Sequence, residues 1–352
     1  MLLFPELADA QHYTQTNLVS DVSGMMAPII DSNLQNPWGL ARSATGPWWV
    51  ADNNKGLSTV YNGAGTINPL VVTIPPPAGS NAAATPTGII FNGTQDFALT
   101  TGNPGLFIFD TEDGTISAWN PAVNATKAVL KVDNSKVGGG AVYKGLEFAE
   151  VNGAHFLYAA NFRSGQVEVY DTNFKRVNLG PDAFRDYEMP EGFAPFNVQA
   201  IGPNLYVTYA KQDAAKHDPV AGAGLGFVNV FSPTGALISR LQNGPWMNAP
   251  WGVVWTPRDF GEFSNTILVG NFRSGQIAAF NGLSGRFLGM MLDPTGKPIT
   301  ISGLWALVFG GGNANSGPAN TLYFTAGINN EKDGLFGTLT PIAAELNEGD
   351  EH

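Results

Sequence analysis

The string Ala160-Asn161-Phe162-Arg163-Ser164-Gly165-Gln166 returns almost unchanged as Gly270-Asn271-Phe272-Arg273-Ser274-Gly275-Gln276. Each copy is preceded by a short apolar run, Phe156 to Ala159 and Ile267 to Val269, and followed by another, Val167 to Tyr170 and Ile277 to Phe280. An apolar run, a tight polar turn with glycine and a second apolar run make a β-hairpin. Two near-identical hairpins far apart in one chain require an internal repeat, and a repeat limits the possible folds more than any other feature.

Six segments open the repeats. They are Asn36-Pro37-Trp38-Gly39-Leu40-Ala41, Thr85-Pro86-Thr87-Gly88-Ile89-Ile90, Tyr143-Lys144-Gly145-Leu146-Glu147-Phe148, Ala194-Pro195-Phe196-Asn197-Val198, Ala249-Pro250-Trp251-Gly252-Val253-Val254 and Gly303-Leu304-Trp305-Ala306-Leu307-Val308. Their spacing of about 50 to 60 residues exceeds a minimal propeller blade of about 40 to 45. A second apolar run follows each opener, a third follows a glycine turn, and weaker fourth runs such as Leu70 to Ile74 and Ala128 to Val132 follow most of those. Four short strands per unit, six units and no convincing helix predict an all-β, six-bladed β-propeller with four-stranded antiparallel blades. The sixth unit ends near Thr340 without a clear fourth strand. Tyr13 to Val19 alternates polar and apolar residues and is expected to supply that strand, closing the last blade and removing an open edge. The alternative is an arm that only lies on the surface. We expect one propeller domain over residues 1–344 and a frayed acidic tail over 345–352.

Composition agrees. Of 352 residues, 43% are hydrophobic and 13% charged, about half the usual charged share, so a large core is expected. Net charge is −11, which argues against a nucleic-acid surface. The chain has no cysteine, which excludes disulfides and thiolate chemistry. No apolar run reaches about 18 residues, so no membrane span is expected. Met1-Leu2-Leu3-Phe4 lacks a basic region and a full apolar region, and so is not a signal peptide as it stands.

The Pro-x-Gly openers, Glu112-Asp113-Gly114-Thr115-Ile116-Ser117-Ala118-Trp119, the two Asn-Phe-Arg-Ser-Gly hairpins, and Tyr209-Ala210-Lys211-Gln212-Asp213 with Lys216-His217-Asp218 resemble the NHL-type six-bladed propellers. More closely, the set is similar to a family of largely uncharacterised, exported bacterial propeller proteins. That resemblance implies an extracellular or periplasmic location. It specifies fold and leaves function open, since propellers host enzymes and binding platforms alike.

In an antiparallel meander every second connection lies on one side. The approach to each opener and the turn between second and third strands therefore share a face. That face collects Trp38, Lys144, Asn161, Arg163, Phe196, Lys211, Trp251, Asn271, Arg273 and Trp305, polar groups among aromatics, as expected of a small-molecule site. The turns add Asn53, Glu112, Asp213 to Asp218 and Asn329 to Asp333. Arg163 and Arg273, at equivalent turns, suit an anionic ligand; the alternative is pairing with a neighbouring acid. Asp52, Asp110, Asn161 and Asn271 align at second-strand ends, where their oxygens are candidates for a hard cation such as Ca2+. Six-bladed lactonases and phosphotriesterases hold such an ion with a Glu at the start of an inner strand. This chain departs from them, having Asn36-Pro37-Trp38 there and Glu147 only after the glycine of its repeat. His217 and Lys144 are the candidate proton-transfer groups. The leading expectation is binding of a small, anionic molecule or a partner chain. The alternatives are a Ca2+-assisted lactonase- or esterase-like hydrolase and a protein-interaction scaffold.

Overall fold

The computed structural model describes residues 11–343. Met1-Leu2-Leu3-Phe4 and the acidic tail 345–352 lie outside the described residues. Six antiparallel sheets stand around one axis. Blade one contains Pro37–Ala41, Trp48–Asp52, Leu57–Tyr61 and Ile67–Thr73. Blade two contains Pro86–Phe91, Phe107–Thr111, Thr115–Trp119 and Val129–Asp133. Blade three runs Tyr143–Val151, Ala154–Asn161, Gln166–Tyr170 and Arg176–Val177. Blade four runs Phe193–Ile201, Asn204–Lys211, Gly226–Phe231 and Leu237–Arg240. Blade five runs Pro250–Trp255, Ile267–Asn271, Ile277–Phe280 and Phe287–Met290. Blade six has Leu304–Phe309, Leu322–Ala326 and Leu335–Pro341, and its fourth strand is Tyr13–Ser20.

The chain start thus closes the ring. It pairs antiparallel with the last strand from Tyr13 opposite Pro341 to Ser20 opposite Leu335, with one irregularity between Asn17 and Val19. Tyr13 and Val19 are fully buried, and the Tyr13 hydroxyl donates to the Phe260 carbonyl at 3.0 Å in blade five. The first strands of neighbouring blades touch all the way around. Glycines permit this approach: a Cβ on Gly39 would lie 2.6 Å from the Thr87 carbonyl, and one on Gly252 2.6 Å from the Trp305 carbonyl.

A second device repeats in every blade. Pairing between first and second strands shifts at the opener, as between Pro37 and Leu40, Tyr143 and Leu146, Pro195 and Asn197, Pro250 and Val253, and Leu304 and Leu307. In blade two the same shift lies between Pro86 and Ile89, where Thr87 and Gly88 oppose the single residue Asp110. Such bulges re-aim side chains. Here they place one residue per blade, Trp38, Thr87, Lys144, Phe196, Trp251 and Trp305, in buried positions around the axis.

Candidate functional site

The bulged residues make an axial plug. Trp305 stacks between Trp38 at 3.5 Å and Phe272 at 3.8 Å between ring centroids. Trp251 meets Trp38 and Trp305 edge-on at 6.2 and 5.9 Å, and Phe196 packs on Phe162 at 5.4 Å. The aromatics expected around an open mouth are therefore stacked across it. Two indole N–H groups tie the plug to its neighbours, from Trp251 to the Lys144 carbonyl at 2.7 Å and from Trp305 to Asn36 Oδ1 at 3.1 Å.

Lys144 is the charged member of the plug. Its side chain is 1% exposed, and its ammonium lies 5.2 Å from the Trp38 ring centre and 5.9 Å from that of Phe162. A buried ammonium needs a counter-charge. Glu112 of blade two supplies it in direct contact, and Asp218 of the long blade-four loop adds a second carboxylate at 3.3 Å. Asp218 Oδ1 also meets His217 Nδ1 at 2.9 Å.

From Glu112 the network continues around the axis. Asn53 Nδ2 donates to Glu112 Oε2 at 2.9 Å, and Asn36 Nδ2 donates to Asn53 Oδ1 at 3.3 Å and to Glu331 Oε2 at 3.5 Å. Glu331 Oε1 is 3.8 Å from Arg273, whose guanidinium donates twice to the Pro219 carbonyl, at 3.1 and 3.0 Å. Pro219 adjoins Asp218, so the circuit closes on itself. Every blade contributes to it.

The electrostatics follow from these contacts. The hydrogen bond that Asp218 accepts from the His217 ring leads the causes that raise the His217 pKa above the ordinary histidine value. The same bond, helped by Lys144, holds Asp218 well below the carboxylate range despite partial burial. Burial pushes Glu331 up, with Arg273 opposing.

Among the described residues, Glu112, His217 and Asp218 bring ligand atoms within 4.8 Å of one another. They are the residues that could hold a metal ion. Lys144 already lies against both carboxylates, so an ion would have to displace its ammonium. The Asp/Asn ring expected for Ca2+ is used otherwise. Asp110 Oδ1 accepts from Thr87 Oγ1 at 2.9 Å and from the bulged Gly88 N–H at 2.6 Å, and Asp52 accepts from Thr59 at 2.8 Å. Asn161 donates to Glu168 at 3.0 Å and accepts from the Val142 and Ser164 N–H groups. Asn271 accepts from the Asn248 N–H at 2.8 Å. These are bulge and turn supports.

Arg163 and Lys211 lie outside the circuit. Arg163 donates to the Gly139 carbonyl at 2.8 Å, and Lys211 to the Glu191 carbonyl at 2.7 Å. Of the paired arginines only Arg273 enters the network. Asn36, Asn53, Glu112, Asp218 and Glu331 enter the circuit although the sequence offered them only as opener or turn residues of this face, not as candidate ligands. Their signal was position: the last four lie in or beside second-to-third turns of blades one, two, four and six.

Asp110 carries a separate prediction. It is fully buried, one of its oxygens has no hydrogen-bond partner, and burial lifts its pKa to about 7. This reverses the usual carboxylate sign. The folded chain holds the proton more tightly than the unfolded one, so stability falls as pH rises from about 4 through about 7. Asp110→Asn keeps an acceptor for Gly88 and removes the charge. Linkage of about 4 kcal/mol, less about 2 kcal/mol for the unpaired amide, gives a net gain of roughly 2 kcal/mol at pH 8. Urea titrations at pH 5 and pH 8 check it; a variant that loses as much stability over that interval as the parent contradicts the assignment.

No protein-family model matches the chain. It is 31% identical over 315 residues to an uncharacterised protein of Acanthamoeba polyphaga mimivirus, covering 88% of this chain and 76% of that one. A second uncharacterised mimivirus protein is 31% identical over 335 residues, covering 92% and 85%. The chain belongs to the family of these two proteins. Among solved structures, the chain superposes on a streptogramin B lyase with TM-score 0.51, at 12% identity, covering 94% of this chain and 98% of that one. A Bacteroides thetaiotaomicron protein of unknown function gives TM-score 0.56 at 9% identity, covering 95% and 76%. At such identities the likeness shows the fold alone.

Proposed function

We propose that the face bearing the charged circuit binds a small polar molecule that carries a charged group, with His217 as the group that exchanges a proton with it. One observation carries this reading: all six blades send side chains into one continuous circuit over the axial plug, and its polar ends remain partly open. Side-chain exposure is 58% for Asp218, 38% for His217, 34% for Glu331 and 31% for Arg273. Charges of both signs are thereby offered around a rigid apolar floor. Arg273 with protonated His217 suits an anionic group, and Glu331 a hydrogen-bond donor.

A second reading, a lactonase- or esterase-like hydrolase, is supported by the His217–Asp218 pair. A carboxylate holding Nδ1 sets the tautomer and leaves Nε2 to take or give a proton. The streptogramin B lyase likeness, being of fold alone, adds only that such a disc is compatible with an enzyme. The NHL-type assignment and an extracellular or periplasmic location belong to this proposal as well, and fractionation of cells producing the protein tests the latter.

The test is a thermal-shift and calorimetric screen of small carboxylates, phosphates and zwitterions on the wild-type chain, repeated on His217→Ala and Arg273→Ala. A hit should weaken at least tenfold in one variant while the unliganded melting temperature stays within a few degrees. Because the His217 pKa is raised, an anion's affinity should be full below the ordinary histidine value and decline as pH rises through the raised one. Binding that is the same in parent and both variants and flat with pH places the ligand elsewhere and defeats the reading.

A further inference from the structure

The opposite face carries a different opening. Every first strand runs away from the plug, and the residues just beyond it line an axial channel of about 390 Å³ with Trp251 at its closed end. A hollow of about 670 Å³ leads outward along blades four and five to Trp255 and Leu283. Gln199, Leu307 and Val308 line both, so the two adjoin and make a cleft in two parts, one axial and one at the rim.

The ends of this cleft differ in chemistry. The rim is apolar. Trp255 is 41% exposed and Leu283 97% exposed, with Ile201, Pro203 and Val254 beside them. Large exposed apolar groups gathered at a concavity mark a binding surface. The axial end carries Glu147. Its carboxylate accepts from Gln199 Nε2 at 2.6 Å and from the backbone N–H groups of Ala200 at 2.8 Å and Phe148 at 2.7 Å. All three donors are neutral amides, and among the described residues no cation lies within ion-pair distance of it. Arg42, the basic residue lining the channel, spends its guanidinium on the carbonyls of Ser43, Ala44, Phe309 and Gly310. Oε1 holds one hydrogen bond and has a lone pair to spare. Burial raises this carboxyl to about 7, the cost of a charge without a counter-charge.

We infer that this cleft is a second binding site, taking a small amphiphilic amine whose ammonium pairs with Glu147 and whose apolar chain lies toward Trp255 and Leu283. Charge complementarity fixes the head, since an ammonium supplies what three amides cannot. The apolar rim fixes the tail. The volumes are those of small-molecule sites. The site is independent of the circuit on the other face.

The test uses primary alkylamines from butylamine to octylamine against the full chain, read by calorimetry and by tryptophan fluorescence, with the matching alcohols as neutral controls. Affinity should tighten about three- to fourfold per added methylene, and amines should bind at least tenfold more tightly than alcohols of equal length. Glu147→Gln should erase the preference for amines. Trp255→Ala, and separately the surface change Leu283→Ser, should flatten the dependence on chain length. No amine binding at millimolar concentration, alcohols binding as well as amines, or a preference that survives Glu147→Gln would each overturn the inference. If Glu147→Gln fails to fold, Leu283→Ser still decides: an unchanged chain-length slope rejects the rim.

Discussion

A chain beginning at Asp21 is expected to lose cooperative folding. Its last blade would present the strand Leu335–Pro341 as a bare edge, with Leu335, Phe336 and Leu339 no longer covered. Removing the buried Tyr13 and Val19 alone forfeits roughly 2 kcal/mol each. Lost ladder bonds bring the total to about 5 kcal/mol or more, comparable to the whole stability of an ordinary domain. The contact with Phe260 and Phe263, at 5.0 and 6.2 Å from the Tyr13 ring, would go as well, loosening blade five from blade six. Calorimetry and size-exclusion chromatography of the truncated chain measure this, and a peptide of residues 11–20 added in trans should restore part of the transition. A single sharp melt within about 5 °C of the parent would show that the ring does not depend on this strand.

Lys144→Ala should be the most damaging single substitution of the candidate site. It empties a fully buried position in the plug and leaves Glu112, 11% exposed, without its cation. Breaking a buried pair from one side costs about 3–5 kcal/mol. Adding Glu112→Gln removes the stranded charge, so the double variant should recover part of the loss, whereas Glu112→Gln alone leaves the ammonium with the more exposed Asp218 as its counter-charge. Urea unfolding of the four chains gives the coupling directly. Additive losses would mean that the two side chains do not act as a pair. The comparison also separates support from binding: Lys144 and Glu112 hold the floor, while His217, Asp218, Arg273 and Glu331 face the ligand in our proposal.

The repeated hairpins, the six openers and the missing fourth strand of the last unit were sufficient to predict the blades and the closing strand. Those features are local or periodic, and local order is what a sequence displays. The shared face of openers and turns was legible for the same reason, because strand alternation follows from chain connectivity. The role of the individual residues was less so. Arg163 and Arg273 occupy the same position in near-identical strings, yet one meets a glycine carbonyl and the other joins the circuit. The blade-four loop reaches Arg273, whereas the glycine-rich segment before blade three reaches Arg163. Asp110 read as a possible cation ligand because it ends a strand; the bulge that presents Gly88 N–H to it is a pairing irregularity with no sequence mark of its own.

By itself, then, the sequence determined the number of blades, the order of their strands and the side on which the polar turns emerge. The packed ring alone decided that four aromatic side chains would close the axis, that Lys144 would need Glu112 and Asp218 from other blades, and that the opposite end would stay open around Glu147. The physical reason is distance along the chain. Strand periodicity is fixed between neighbours in sequence, whereas counter-charges and cavities are set by residues that meet only after all six blades have closed around one line.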